Sequence, residues 1–219
     1  METIALIGQS LAVIAACWAI ISGVGAWKRE FIGKRKIELA EEVLAYFFQI
    51  KDAVAAIRNP FSSGDEGKSR KRGDHEDKDE AELLDRGYIV FERYETHKEA
   101  FVRFNTLKYK FMASFGPETE EIFTDCNRIL NSIFISARRL ATYYWQRQGR
   151  VPMKDDEFNK HLDEMFRHEG IFWDRMDEKD EIRNKLQTIQ NKLDLVTKPC
   201  FEEPMKTYSI FTKQWFKRG

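Results

Sequence analysis

TIALIGQSLAVIAACWAIISGVGAWKREFIGKRKIELAEEVLAYFFQIKDAVAAI, residues 3–57, decides how this chain is organised. Its first 24 residues, Thr3 to Ala26, carry no charge, and only Thr3, Gln9, Ser10 and Ser22 are polar. At about 1.5 Å per residue a helix of this length reaches about 36 Å, more than the roughly 30 Å of a bilayer's hydrocarbon layer. Residues 1–26 are therefore expected to form a transmembrane anchor. Trp27 follows at headgroup level, and then come Lys28, Arg29, Lys34, Arg35 and Lys36 against a single acid, Glu30. These six residues are the expected membrane-interface anchors. The positive-inside rule makes this a single-pass protein of the cell inner membrane, N-terminus outside and C-terminal domain cytoplasmic. A cleaved signal peptide is the rival reading, because Val24-Gly25-Ala26 resembles a cleavage site. The uncharged run is too long for an apolar signal core of about 7–15 residues, and no Lys or Arg precedes it.

Steps of three and four from Ala5 reach Gly8, Ala12, Ala15, Ala19, Ser22 and Ala26, all small. Small side chains let helix backbones approach closely in lipid, so this stripe is a candidate packing seam between copies of the chain. Beyond Arg29, Gly33 and Lys36 the same register reads Ala40, Val43, Phe47, Ile50, Val54 and Ile57. One helix from about residue 3 to 58 is expected, with residues 27–58 a juxtamembrane helix continuous with the anchor. Asn59-Pro60 stops it. The cytoplasmic stripe packs either on its own domain or, as a coiled coil, on another copy.

Residues 59–78 read as a charged flexible loop. Within it Ser62-Ser63-Gly64-Asp65-Glu66-Gly67-Lys68-Ser69 ends like a phosphate-binding loop. The first Gly is missing, no strand precedes it, and two acids would repel a phosphate.

Residues 79–204 read as a helical bundle. A helix over about 79–115 carries the stripe Leu83, Gly87, Val90, Tyr94, His97, Phe101, Phe104, Lys108, Phe111 and Phe115. Leu84, Tyr88, Phe91 and Val102 form a second stripe. After Gly116-Pro117, residues 118–147 bring Ile122, Cys126, Ile129, Ile133, Leu140 and Tyr144 to one face. A shorter helix spans about 155–168. Then Ile182, Leu186, Ile189, Leu193 and Val196 recur in steps of four and three until Pro199 and Pro204, which are expected to end the helix. Residues 205–219 are a basic, aromatic tail suited to an anionic membrane surface or to ordinary packing. The expected fold class is all-α, with a single N-terminal transmembrane helix continuing into a cytoplasmic antiparallel bundle of four or five helices.

Seventeen Phe, seven Tyr and five Trp supply a real core, while five Pro and twelve Gly are too few for a turn-rich β fold. Zero formal net charge argues against nucleic acid as a partner. Cys17, Cys126 and Cys200 are isolated and form neither a disulfide framework nor a zinc knuckle. Glu157, His161, Glu164 and His168 share one helix face at spacings of four, three and four, a weak metal-site pattern. Phe158, Leu162, Met165 and Phe166 are expected to fill the buried face, leaving that His/Glu row in water. His97 is expected to be a satisfied core histidine, and Lys108 to snorkel or pair with an acid on a neighbouring helix.

No catalytic residues and no cofactor are indicated, so the chain is not expected to be an enzyme. The expected function is that of a membrane-anchored scaffold or sensor, in contact with lipid, with further copies of itself and with a cytoplasmic protein. Two alternatives stand beside it. One is an effector whose oligomerised membrane helices permeabilise the bilayer, with Gln9 and Ser22 as its polar equipment. The other is a bundle metalloenzyme around His161 and His168.

Overall fold

The structure is a computed structural model, which describes the backbone of residues 2–215 and the side chains of residues 13–25 and 27–202. All regular elements among the described residues are helical. They are α1 (Glu2–Ile57), α2 (Lys78–Phe115), a 3-10 turn (Pro117–Thr119), α3 (Glu120–Arg139), a π-helical turn (Leu140–Tyr144), α4 (Trp145–Arg147), α5 (Asp155–Phe172) and α6 (Glu181–Trp215). The chain divides into two compact units, Met1–Glu41 with Thr197–Gly219, and Glu42–Val196.

The second unit is a helical bundle, and its residue pairs define antiparallel neighbours. Phe47 of α1 meets Phe104 of α2 (ring centroids 6.3 Å apart), while Arg93 of α2 reaches the Ile57 carbonyl. On the next side Phe104 meets Phe123 of α3 at 4.5 Å, and Phe91 stacks on Phe134 at 4.7 Å. Lys192 of α6 bonds Asp125 and Glu121 of α3, and Lys51 of α1 bonds Gln190 of α6. Four helices thus run up, down, up and down, and α5 packs along the C-terminal part of α3.

Periodicity explains this core. Ala40, Val43, Phe47, Ile50, Val54 and Ile57 are each no more than 2% exposed. Ile182, Leu186, Ile189 and Leu193 are buried as well. This stripe of α1 is therefore covered within one chain, by packing on its own domain and not on another copy. Aromatic pairs such as Phe111–Phe123 (5.8 Å) and Tyr94–Phe134 (5.2 Å, edge-on) add about 0.5–1.5 kcal/mol each beyond the area they bury. A reciprocal amide pair, Asn105 with Asn127 (3.1 and 2.8 Å), sets the register of α2 on α3.

Several expectations need correction. Val102 is 58% exposed, so the second stripe of α2 does not extend to it. Residues 118–147 are not one uniform α-helix, because the π-helical turn interrupts them. Neither Pro199 nor Pro204 ends α6, which runs to Trp215. The N–H that Pro199 lacks would have bonded the carbonyl of Leu195, a residue 79% exposed, where water can take its place. Within residues 59–78, expected as a charged loop, several charges are paired. Arg70 bonds Glu76 and Asp85, Arg72 bonds Asp85 at 2.6 Å, and Arg93 bonds Glu66 at 2.7 Å. Gly67, at φ 85°, gives its N–H to Glu92 and packs against the Asp85 carbonyl, which a side chain would strike.

Three helix ends meet at one ion pair that sequence reasoning missed. Arg58, 1% exposed, follows α1 and donates to Asp180 at 2.9 and 2.7 Å; Asp180 is fully buried. The same guanidinium donates to the carbonyls of Gly170, Ile171 and Trp173, at and just beyond the end of α5. A cation there meets the negative end of the helix dipole and satisfies carbonyls that α5 leaves open. Asp180 in turn caps α6 by accepting from the Arg183 N–H at 2.8 Å, and it accepts from the Arg175 N–H at 3.0 Å.

Burial pushes the Asp180 carboxyl up, but Arg58 and the two N–H groups outweigh it and hold it at about 2, below its ordinary 3.8. The folded value is depressed, so this contribution is complete above about pH 3.8 and is lost as pH falls through about 2. Asp180→Asn leaves Arg58 buried without its counter-charge and is expected to cost about 3–5 kcal/mol in urea unfolding of the full chain. Arg58→Met with Asp180→Leu is expected to cost less than the sum of the single changes; strict additivity would mean the pair is not coupled.

Candidate functional site

The site stands where the π-helical turn faces α5. In that turn the Trp145 N–H reaches back to the Leu140 carbonyl, one residue further than in an α-helix. Such a bulge frees a neighbouring carbonyl and often marks a functional position. Here Gln146 Nε2 takes the Ala141 carbonyl at 3.1 Å. The turn lies close against α2 because position 87 is glycine: a Cβ there would fall on the Ala141 methyl. Two tyrosines result from this offset, Tyr143 and Tyr144, with rings at 89° and centroids 5.1 Å apart.

α5 meets this turn with its imidazoles. His161 is 7% and His168 3% exposed, with Met165, Ile171 and Phe172 beside them in the core. Phe158 and Phe166 are instead 39% and 59% exposed, and Leu162 is half-buried. The expectation that the histidine row faces water is thereby reversed. Its physical reason is the surface α5 meets. Tyr144 offers a flat ring that both imidazoles face, at centroid distances of 5.4 and 5.3 Å, two helical turns apart. The next contacts hold the same rotation, with Phe172 edge-on to Trp145 at 5.6 Å and Trp145 Nε1 donating to Glu169 at 2.8 Å.

Ser136 Oγ lies 3.0 Å from His168 Nδ1. Three other buried nitrogens have no partner: His168 Nε2, His161 Nε2 and Arg147 Nε. Burial first, then the positive charges of Arg167 and Arg139, hold the His168 imidazole below its ordinary 6.5, against the pull of Glu164.

The four residues of the weak metal pattern are not brought together as a ligand set. Glu157 and Glu164 are exposed, the first taken by Arg147 at 3.2 Å and the second by Arg167 at 2.6 Å. Among the described residues no group of three His, Cys, Asp or Glu is placed to hold a metal ion.

Other singled-out residues fall elsewhere. His97 is not a core histidine. It is half-buried at the rim of a groove of about 860 Å³ between α1 and α2, where Ala53, Ala56 and Ala100 leave space. Lys108 pairs with Glu120 at 2.8 Å, as expected. Cys126 is buried, and burial pushes its thiol up; Cys17 is exposed and Cys200 half-buried.

Of the small-residue stripe, Ala15, Ala19 and Ser22 are exposed, while the side chains of Ala5, Gly8, Ala12 and Ala26 lie outside the described residues. Trp27 is exposed and stacks on Phe31 at 5.8 Å, with Arg35 over the same ring at 5.2 Å. Lys28, Arg29 and Lys34 are exposed and Lys36 is half-buried. Among the described residues no helix is long and apolar enough to cross a membrane. The side chains of residues 1–12, ten of which belong to the 24-residue uncharged run, lie outside that description, as do those of the 205–219 tail.

Comparison with protein-family models, curated proteins and solved structures finds no match to this chain.

Because folding depresses the His168 value, the unfolded chain binds the proton more readily, and stability falls as pH drops below about 6.5. Unfolding measured between about pH 8 and 5 is expected to show that loss in the wild type and a smaller one in His168→Gln; equal slopes would remove His168 from the account. Gly87→Val is expected to destabilise by about 1–3 kcal/mol, since α2 must move off the π-helical turn.

Proposed function

We propose that this protein is a membrane-anchored helical scaffold or sensor. Its N-terminal helix spans the cell inner membrane with the N-terminus outside, and its bundle works in the cytoplasm through contacts with other proteins. One observation carries the reading. Every residue from 13 to 24 is exposed, none is charged, and Val13, Ile14, Trp18, Ile20, Ile21 and Val24 are each 58–73% exposed. Leaving six such side chains in water forfeits on the order of 10 kcal/mol of burial. That approaches the whole stability of an ordinary domain, about 5–15 kcal/mol. Lipid removes the penalty. The basic residues after Trp27 supply the orientation.

Self-association belongs to the membrane part in this reading, because the cytoplasmic continuation of the stripe is covered within one chain. Ala5, Gly8, Ala12, Ala15, Ala19, Ser22 and Ala26 are then the contact face. A permeabilising effector draws less support, since the Ser22 hydroxyl donates to the Ala19 carbonyl of its own helix at 3.0 Å.

Alkaline extraction of membranes is expected to leave the chain in the pellet, and protease added outside intact cells to leave the bundle undigested. Release at alkaline pH would sink the anchor. Ala12→Leu with Ala19→Leu is expected to keep the protein in the membrane while reducing cross-linked dimer by about tenfold. Undiminished cross-linking would show that the small residues make no contact.

A further inference from the structure

We infer that residues 28–36 of α1 form a cationic collar that gathers anionic phospholipids around the helix on the cytoplasmic side. The inference rests on the reading of α1 as a membrane helix and names the lipid class that it prefers.

Unspent charge is the first observation. Between Trp27 and Ile37 stand Lys28, Arg29, Lys34, Arg35 and Lys36 against Glu30 alone. Lys28, Arg29, Lys34 and Arg35 are exposed and make no ion pair among the described residues, although Glu30 is one helical turn from Lys34. Elsewhere in the chain Arg58, Arg70, Arg93, Lys108 and Lys192 each hold an acid. The cations of the collar are left for a partner outside the chain.

Their arrangement selects the kind of partner. α1 runs unbroken through this stretch. At about 100° per residue, Lys28 and Arg35 stand on one side of the helix, Arg29 and Lys36 on a second, and Lys34 on a third. The acidic face of another protein would meet one side and leave the others unused. A surrounding layer of lipid headgroups meets all three.

Side-chain direction agrees with lipid. Arg29 turns back along the helix, so that a Cβ on Gly25 would lie 3.6 Å from its Nη1. Arg35 does the same, with its guanidinium carbon 5.2 Å from the centroid of the Phe31 ring. Each cation thus reaches about 6 Å toward the uncharged run, the direction in which a basic side chain snorkels to the phosphates. Trp27, stacked on Phe31 at 5.8 Å, stands at that level. A zwitterionic headgroup brings its own cation beside the phosphate and opposes the collar; a net-anionic headgroup does not. One Lys or Arg near an anionic surface strengthens attachment roughly fivefold, and the effect is screened by salt.

The test uses full-length protein reconstituted into phosphatidylcholine bilayers with a trace of spin-labelled phosphatidylglycerol or spin-labelled phosphatidylcholine. The motionally restricted fraction of each label gives the ratio of their association constants. The chain is expected to resist alkaline extraction from these bilayers and to favour phosphatidylglycerol by about threefold or more. The ratio should fall toward unity in about 1 M salt, where the Debye length is about 3 Å. Lys28→Gln, Arg29→Gln, Lys34→Gln and Arg35→Gln together change only exposed side chains without ion pairs, and should abolish the preference while the chain stays inserted. Glu30→Gln should raise it, and Lys98→Gln with Arg103→Gln, in the bundle, should leave it unchanged. Equal restriction of both labels by an inserted chain, or a preference that survives loss of the four cations, would overturn the collar and leave the anchor standing. Release by alkali would overturn the anchor and the collar with it.

Discussion

The ion pair between Arg58 and Asp180 is the constraint on which the bundle depends. Two fully desolvated charges are costly to bury, and such a pair survives only when every donor and acceptor is used. Here Arg58 serves Asp180 and three carbonyls around the end of α5, and Asp180 also caps the start of α6. The Arg58 carbonyl accepts from the Asp174 N–H at 2.7 Å, so the connection between α5 and α6 is tied in as well. One contact therefore fixes where α1 stops, where α5 stops and where α6 starts. Apolar burial is non-directional, whereas hydrogen bonds to named carbonyls fix each helix end at one position along its axis.

That anchoring has a consequence for the other face of α5. With its C-terminal carbonyls held by Arg58 and Phe172 set against Trp145, the rotation of the helix is determined, and His161 and His168 turn inward to Tyr144. Phe158 and Phe166 are left toward solvent in exchange. The trade puts two imidazoles in a place where their nitrogens find few partners, with Ser136 serving only one of the four. Buried polar groups left in this state are rare enough to need a cause.

The same three-and-four period runs through both parts of α1, but it is filled differently. From Val43 to Ile57 it holds Val, Phe and Ile, and each is buried. From Ala15 to Ser22 it holds small residues, and each is exposed. In water, large side chains gain by removing area from solvent; in lipid that gain vanishes and close backbone approach remains. One periodic pattern written in two sizes of residue is what a helix serving two solvents would need.

Much of the fold was legible in the chain itself. The stripes Val43 to Ile57 and Ile182 to Leu193, and the boundaries of α2 between Asp77 and Gly116, follow from spacing and capping, which are local properties. The site was less legible. The i, i+4, i+7 pattern placed Glu157, His161, Glu164 and His168 together, yet a helix with apolar residues on two faces does not announce which one is buried. Arg58 carried only the faint signal of directly following a core stripe, and Asp180 that of preceding one. By itself the sequence determined the helices, their core faces and the uncharged N-terminal run, because these depend on neighbours three or four residues away. Only the tertiary structure decided the partner of Arg58 and the inward histidines, because each depends on atoms more than 15 residues distant meeting at hydrogen-bond or ring-contact distance; the π-helical turn, closed by a local bond, also came only from the structure, where it packs on Gly87.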